Sequence, residues 1–169
     1  MQYKSIFKIF PAVLRKGNAQ PTRLVPINDP AITKFKVMGK DLQVVDPAAT
    51  EPLRLTVLEL SEEESAVEIS FTEQSREVGV QFWGNEQSGW ATIWVDGFER
   101  WRGNLAADGA QDHYVEIQRL PLQAHKVRVI ALGEAGREGG GVTVQIAALG
   151  VGPTAHRTFI PFASNPGNQ

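Results

Sequence analysis

The chain has 169 residues, 42% of them hydrophobic and 21% charged, with a formal net charge of −2. That balance excludes a disordered chain, and no run approaches the roughly 18 apolar residues of a membrane span. The lack of cysteine removes disulfides, thiol catalysis and thiolate metal sites together.

The first eleven residues contain no uninterrupted apolar stretch, because Lys8 and Pro11 cut it, so no secretory signal is expected. Pro11, Pro21, Pro26, Pro30, Pro47 and Pro52 crowd the start of the chain. Each removes a backbone donor, which excludes a long helix or a central strand there. Residues 1–40 carry eight Lys and Arg against one acid, Asp29, whereas the remainder carries nine against eighteen. The near-neutral total therefore hides a basic arm of +7 joined to an acidic body of −9. Residues 1–50 read as an extended basic arm with one or two edge strands. The best of these is 32–38, whose Lys34 and Lys36 blunt an edge against aggregation.

Residues 51–152 read as a sandwich. Period-two alternation of β-branched and aromatic residues marks strands at 53–57, 67–71, 78–83, 91–95, 113–117, 127–129 and 142–146. Polar, Gly-containing stretches separate them at 84–89, 106–112 and 133–141. Asp96-Gly97 predicts a tight hairpin between 93–95 and 98–101, since glycine accepts the positive φ of such a turn. Short strands at this spacing without a helical period predict an all-β antiparallel sandwich. Residues 153–169 form a polar tail with no core-forming pattern.

Three stretches resemble the galactose-binding-like jelly roll found in carbohydrate-binding modules. They are Val78-Gly79-Val80-Gln81-Phe82-Trp83-Gly84, then Ala91-Thr92-Ile93-Trp94-Val95-Asp96-Gly97, then residues 120–129 with His125 ahead of an alternating strand. With a last strand at 142–151, the resemblance spans roughly 100 of the 169 residues. It implies a structural turn role for His125. Ala147 stands where such domains often carry an aspartate, so the resemblance does not extend to a family ion site.

Four tryptophans, Trp83, Trp90, Trp94 and Trp101, fall close together. Alternation turns Trp83 and Trp94 away from Phe82, Ile93 and Val95, toward either a covering layer or a stacked sugar ring. Trp90, beside Gly89, reads as a loop residue. Trp90, Asn85, Gln87 and Trp94 are therefore the candidate glycan contacts. Trp101 lies between Arg100 and Arg102, an arrangement that would allow a cation–π pair. Asp108 and Asp112 flank a polar loop able to offer oxygens to calcium, although more such loops bind nothing. His113, His125 and His156 show no metal-ligand spacing, and no metal or other cofactor is expected. Gly139-Gly140-Gly141 precedes a strand and so is no phosphate cradle.

No catalytic motif is present, and the reading is non-enzymatic. Nucleic acid is not expected, because the acidic body would repel phosphates. The first reading is a structural or adhesive subunit of a larger assembly, such as a phage capsid-decoration or tail protein. Its arm would dock through Phe7, Phe10, Arg15, Lys16 and Phe35 on protein subunits, in a homo-oligomer or larger assembly. The alternative is a carbohydrate-binding module.

Overall fold

The computed structural model describes residues 23–35, 41–45, 54–61 and 63–152, with 41–45 and 54–55 described as backbone alone. Every regular element among them is a strand, and these form two antiparallel sheets packed face to face. The six-stranded sheet runs β3 (Asp41–Val45), β4 (Arg54–Leu60), β11 (Val144–Val151), β6 (Val78–Gly84) and β9 (Gln111–Ile117), and β1 (Arg23–Pro26) also pairs with β11. The five-stranded sheet runs β2 (Thr33–Phe35), β5 (Ala66–Ser70), β10 (Lys126–Ala135), β7 (Gly89–Val95) and β8 (Phe98–Asn104).

Alternation explains the packing. Val67, Ile69, Ile93, Val95, Val127 and Val129 point inward from one sheet, and Leu58, Leu60, Val80, Phe82, Ile146 and Leu149 meet them from the other. Each such side chain contributes about 1.5–3 kcal/mol on burial. The hairpin at Asp96 and Gly97 has φ of 53° and 88°, both left-handed, which suits the right-handed twist of β7 and β8.

Part of the segment read as an arm belongs to the sandwich. β1 pairs with β11, Arg23 opposite Val151, and β2 pairs with β5, Phe35 opposite Ala66. Residues 23–35 of the segment expected to dock on another copy or a partner subunit therefore pack on their own chain. The reason is apolar spacing: Val25, Ile27 and Ile32 are all buried in the core. Pro26 ends β1 on the edge of β11, where the missing donor is tolerated. Arg23 also pairs with Glu73, Nη2 to Oε1 at 2.9 Å, and this bond holds the Glu73 carboxyl at about 2. Phe7, Phe10, Arg15 and Lys16 lie outside the described residues.

Trp101 departs from the expected arginine frame. It stacks on Phe82 with ring centroids 5.6 Å apart and leans inward over Gly103. Arg100 instead lies over Phe98 at 5.7 Å, and Arg102 pairs with Glu99 at 3.0 Å. On the outer side of the six-stranded sheet the Tyr114 ring crosses Gly79, where an added Cβ would collide with the ring. We expect Gly79→Ala to cost about 1–3 kcal/mol through this overpacking. Urea unfolding would show it as a lower midpoint with an unchanged m-value.

Candidate functional site

The inward set on β5, β7 and β10 leaves Glu68, Trp90, Thr92, Trp94, Lys126, Arg128 and Ile130 on the outer face of the five-stranded sheet. Register then aligns them. Arg128 stands opposite Glu68 on one side and Trp94 on the other, with Thr33 and Glu99 extending the row across the sheet. Ile130 occupies the next row, between Ala66 and Thr92, with Phe35 beyond Ala66.

A cleft of about 630 Å³ opens on this face, lined by Glu68, Trp94, Asp96, Gly97, Lys126, Arg128 and Ile130. A second hollow of about 330 Å³ is lined by Phe35, Glu64, Arg128 and Ile130. Arg128 and Ile130 border both, so the hollows adjoin across the sheet from the β7–β8 hairpin toward β2. The Arg128 guanidinium stacks over Phe35 at 4.3 Å and reaches Glu68 Oε2 at 3.4 Å. Two partners fix the planar group in the middle of the cleft. The Trp94 indole donates to Thr92 Oγ1 at 3.1 Å, which sets the ring's orientation while its surface stays partly exposed.

Asp96 closes one end through a clasp. His125 is buried, with Nδ1 2.6 Å from Asp96 Oδ2 and Nε2 2.8 Å from the Ser75 carbonyl and 3.0 Å from that of Pro121. The Lys126 backbone N–H donates to Asp96 Oδ1 at 2.8 Å, and the Gln123 amide donates to Oδ2 at 3.2 Å. Burial opposes ionisation of Asp96, but these donors together outweigh it and set its pKa below the ordinary carboxylate value. The structural role that the resemblance implies for His125 matches this geometry.

The expected glycan residues do not converge. Trp94 lines the cleft, while Trp90 sits on the same face at the far end of β7, roughly 13 Å along the strand. Trp90 is a strand residue rather than a loop residue, because pairing with β8 starts there, opposite Asn104. Asn85 shapes the β6–β7 turn, its Oδ1 accepting from the Gln87 N–H at 2.7 Å. The Gln87 carbonyl accepts from Thr143 Oγ1 at 2.9 Å. Both lie beyond the Trp90 end. Phe35, expected on a partner, stacks on Arg128 of its own chain. Trp83 is buried, on the outer face of the opposite sheet from Trp94. Asp108 pairs with Arg137 at 3.1 Å, and Asp112 is buried on β9. Among the described residues no three His, Asp or Glu side chains gather as a metal site. Burial lowers the pKa of His113 and, with the charges of Glu116 and Glu77, raises that of Tyr114.

Neither a family model nor a curated protein matches the chain. Solved structures do. The CBM36-1 domain of a multidomain xylanase, from the hindgut metagenome of Trinervitermes trinervoides, superposes with a TM-score of 0.52 at 9% identity, over 78% of this chain and 97% of that one. The two share an all-β sandwich of antiparallel sheets. A two-domain esterase active on acetylated mannans matches with a TM-score of 0.51 at 16% identity, over 83% of this chain. The catalytic domain of a GH87 alpha-1,3-glucanase in complex with tetrasaccharides matches with 0.54 at 11%, over 81% of this chain. The chain spans 39% of the esterase and 29% of the glucanase. At such identities the likeness establishes fold alone.

Proposed function

We propose that this chain is a non-catalytic glycan-binding module whose site is the outer face of the five-stranded sheet. One observation carries the reading: Trp94, Arg128 and Glu68 stand in a single cross-strand row on the wall of a cleft of about 630 Å³. A pyranose ring has apolar C–H faces that stack on indole and equatorial hydroxyls that bond to carboxylate and guanidinium groups. The cleft offers an indole, a guanidinium and carboxylates in fixed positions, as ligand sites require. Asp96 already accepts from His125, Lys126 and Gln123, and Glu68 accepts from Arg128, so both carboxylates are engaged within the protein.

The relatives in fold support this alternative over the assembly-subunit reading, since they are parts of enzymes that act on polysaccharides. Nothing in them supports a virion component. Isothermal titration with mannopentaose, a xylo-oligosaccharide and an α-1,3-linked glucotetraose tests the proposal. We expect saturable binding of at least one of them by the full chain. Heat indistinguishable from dilution for every sugar, together with a stable oligomer by light scattering, would return the assembly-subunit reading to the front.

A further inference from the structure

The two sheets differ in what their outer faces show. On the five-stranded sheet, outward side chains such as Trp94, Arg128 and Lys126 reach solvent. On the six-stranded sheet, β6 and β11 are buried along their whole lengths, outward positions included. Gln81 is 0% exposed and Trp83 2%, although both point away from the core formed by Val80 and Phe82. Val57 and Ala147 are equally covered, and neither belongs to the core cluster. A two-layer sandwich leaves such a face wet, so a third layer is required.

The face has a distinct chemistry. One row reads Glu59, Gln145, Trp83, Asp112 across β4, β11, β6 and β9, and the next reads Ala148, Gln81, Tyr114. Trp83, Ala148 and the amides of Gln81 and Gln145 fill the middle, while the carboxylates of Glu59 and Asp112 stand toward the rims. Both amide atoms of Gln81 are buried without a hydrogen-bond partner among the described residues. A buried amide of this kind needs a donor and an acceptor from whatever covers it. An extended backbone provides both.

We propose that residues 1–22 of the same chain lie over this face as its third layer. Position favours them, since they join at Arg23, where β1 pairs with β11 of this very sheet. Reach is ample, because 22 extended residues span roughly 70 Å, against about 26 Å for a strand the length of β11. Charge matches as well. The segment holds Lys4, Lys8, Arg15 and Lys16 with no acid, facing Glu59, Asp112 and Glu116. Its Ile6, Phe7, Ile9 and Phe10 supply apolar side chains for Trp83 and Val57, and Pro11 and Pro21 disfavour helix. The inference does not depend on glycan binding, which uses the other sheet.

The cysteine-free chain permits a direct test. A nitroxide on Ala12→Cys, in full-length protein with ¹⁵N-labelled indoles, is expected to broaden the Trp83 signal several-fold more than that of Trp94. The effect should persist when labelled chains are diluted with unlabelled ones. Charge reversal of Lys4, Lys8, Arg15 and Lys16 to Glu in the full chain should weaken the broadening. An unbroadened Trp83 signal overturns the proposal. So does broadening that appears only between separate chains, which would place a second copy on the face. Broadening of Trp83 from Ser164→Cys but not from Ala12→Cys would assign the face to residues 153–169 and equally overturn it.

Discussion

Replacing His125 with alanine is expected to destabilise the protein by about 2–4 kcal/mol, the largest effect of any single truncation we anticipate outside the aliphatic core. The imidazole is buried and joins three segments: Ser75 between β5 and β6, Pro121 ahead of β10, and Asp96 at the β7–β8 hairpin. Its loss leaves the Ser75 and Pro121 carbonyls without this donor and opens a cavity the size of a ring. Backbone bonds from Phe71 to His125 and from Ser75 to Gln123 would remain, so the loop should loosen rather than detach. Urea unfolding should show a lower midpoint with little change in slope. A midpoint within error of the parent would remove the clasp from the account.

The same clasp has a pH signature. The Asp96 pKa is depressed in the folded state below the ordinary 3.8. Its contribution to stability is therefore fully present above that ordinary value and is lost as pH falls through the lower folded value. Asp96→Asn should flatten this part of the acid limb of a stability–pH profile, measured by denaturant midpoints between neutral pH and the onset of acid unfolding. A limb of unchanged steepness would show that other carboxylates carry it.

Replacing Trp94 with alanine is expected to weaken glycan binding by roughly thirtyfold or more, corresponding to about 2 kcal/mol, while leaving stability nearly unchanged. The ring is partly exposed on the outer face, and its Nε1 partner Thr92 lies on the same strand. Removing it takes away the stacking surface without opening the core. Trp90→Ala is the matched control, since that ring sits on the same strand but does not line the cleft. Equal losses in the two variants would move the site along β7. Arg128→Ala should also weaken binding, and Arg128→Lys should restore little of it, because an ammonium cannot reproduce the planar contact with Phe35.

The sequence carried the fold well and the site partly, for reasons that individual residues make plain. Alternation at 78–83 and 91–95 survives as β6 and β7, and Asp96-Gly97 turns where its φ preferences require. β1 was hidden because Pro26 and the surrounding charge imbalance read as an arm, whereas the decisive feature is the burial of Val25 and Ile27. Trp94 could be singled out because a large aromatic at an outward position is conspicuous. Glu68, Lys126 and Arg128 could not, since charges alternating with valine and isoleucine look like the wet side of any strand. What makes them a site is register: Arg128 meets Glu68 and Trp94 from two different strands, far apart in sequence. Pairing of that kind is invisible in a single strand's pattern. Asn85 and Gln87 had the right chemistry for sugar but are engaged in holding their own turn and its neighbour.

Titrating ¹⁵N-labelled protein with an oligosaccharide and following amide and indole shifts would locate the glycan on, or away from, the outer face of the five-stranded sheet. We expect the Trp94 indole and the backbones of Glu68, Lys126 and Arg128 to move together and saturate at a common concentration, while the Trp83 indole stays still. Shifts centred on Asn85 and Gln87, or on the six-stranded sheet, with Trp94 unmoved, would contradict it.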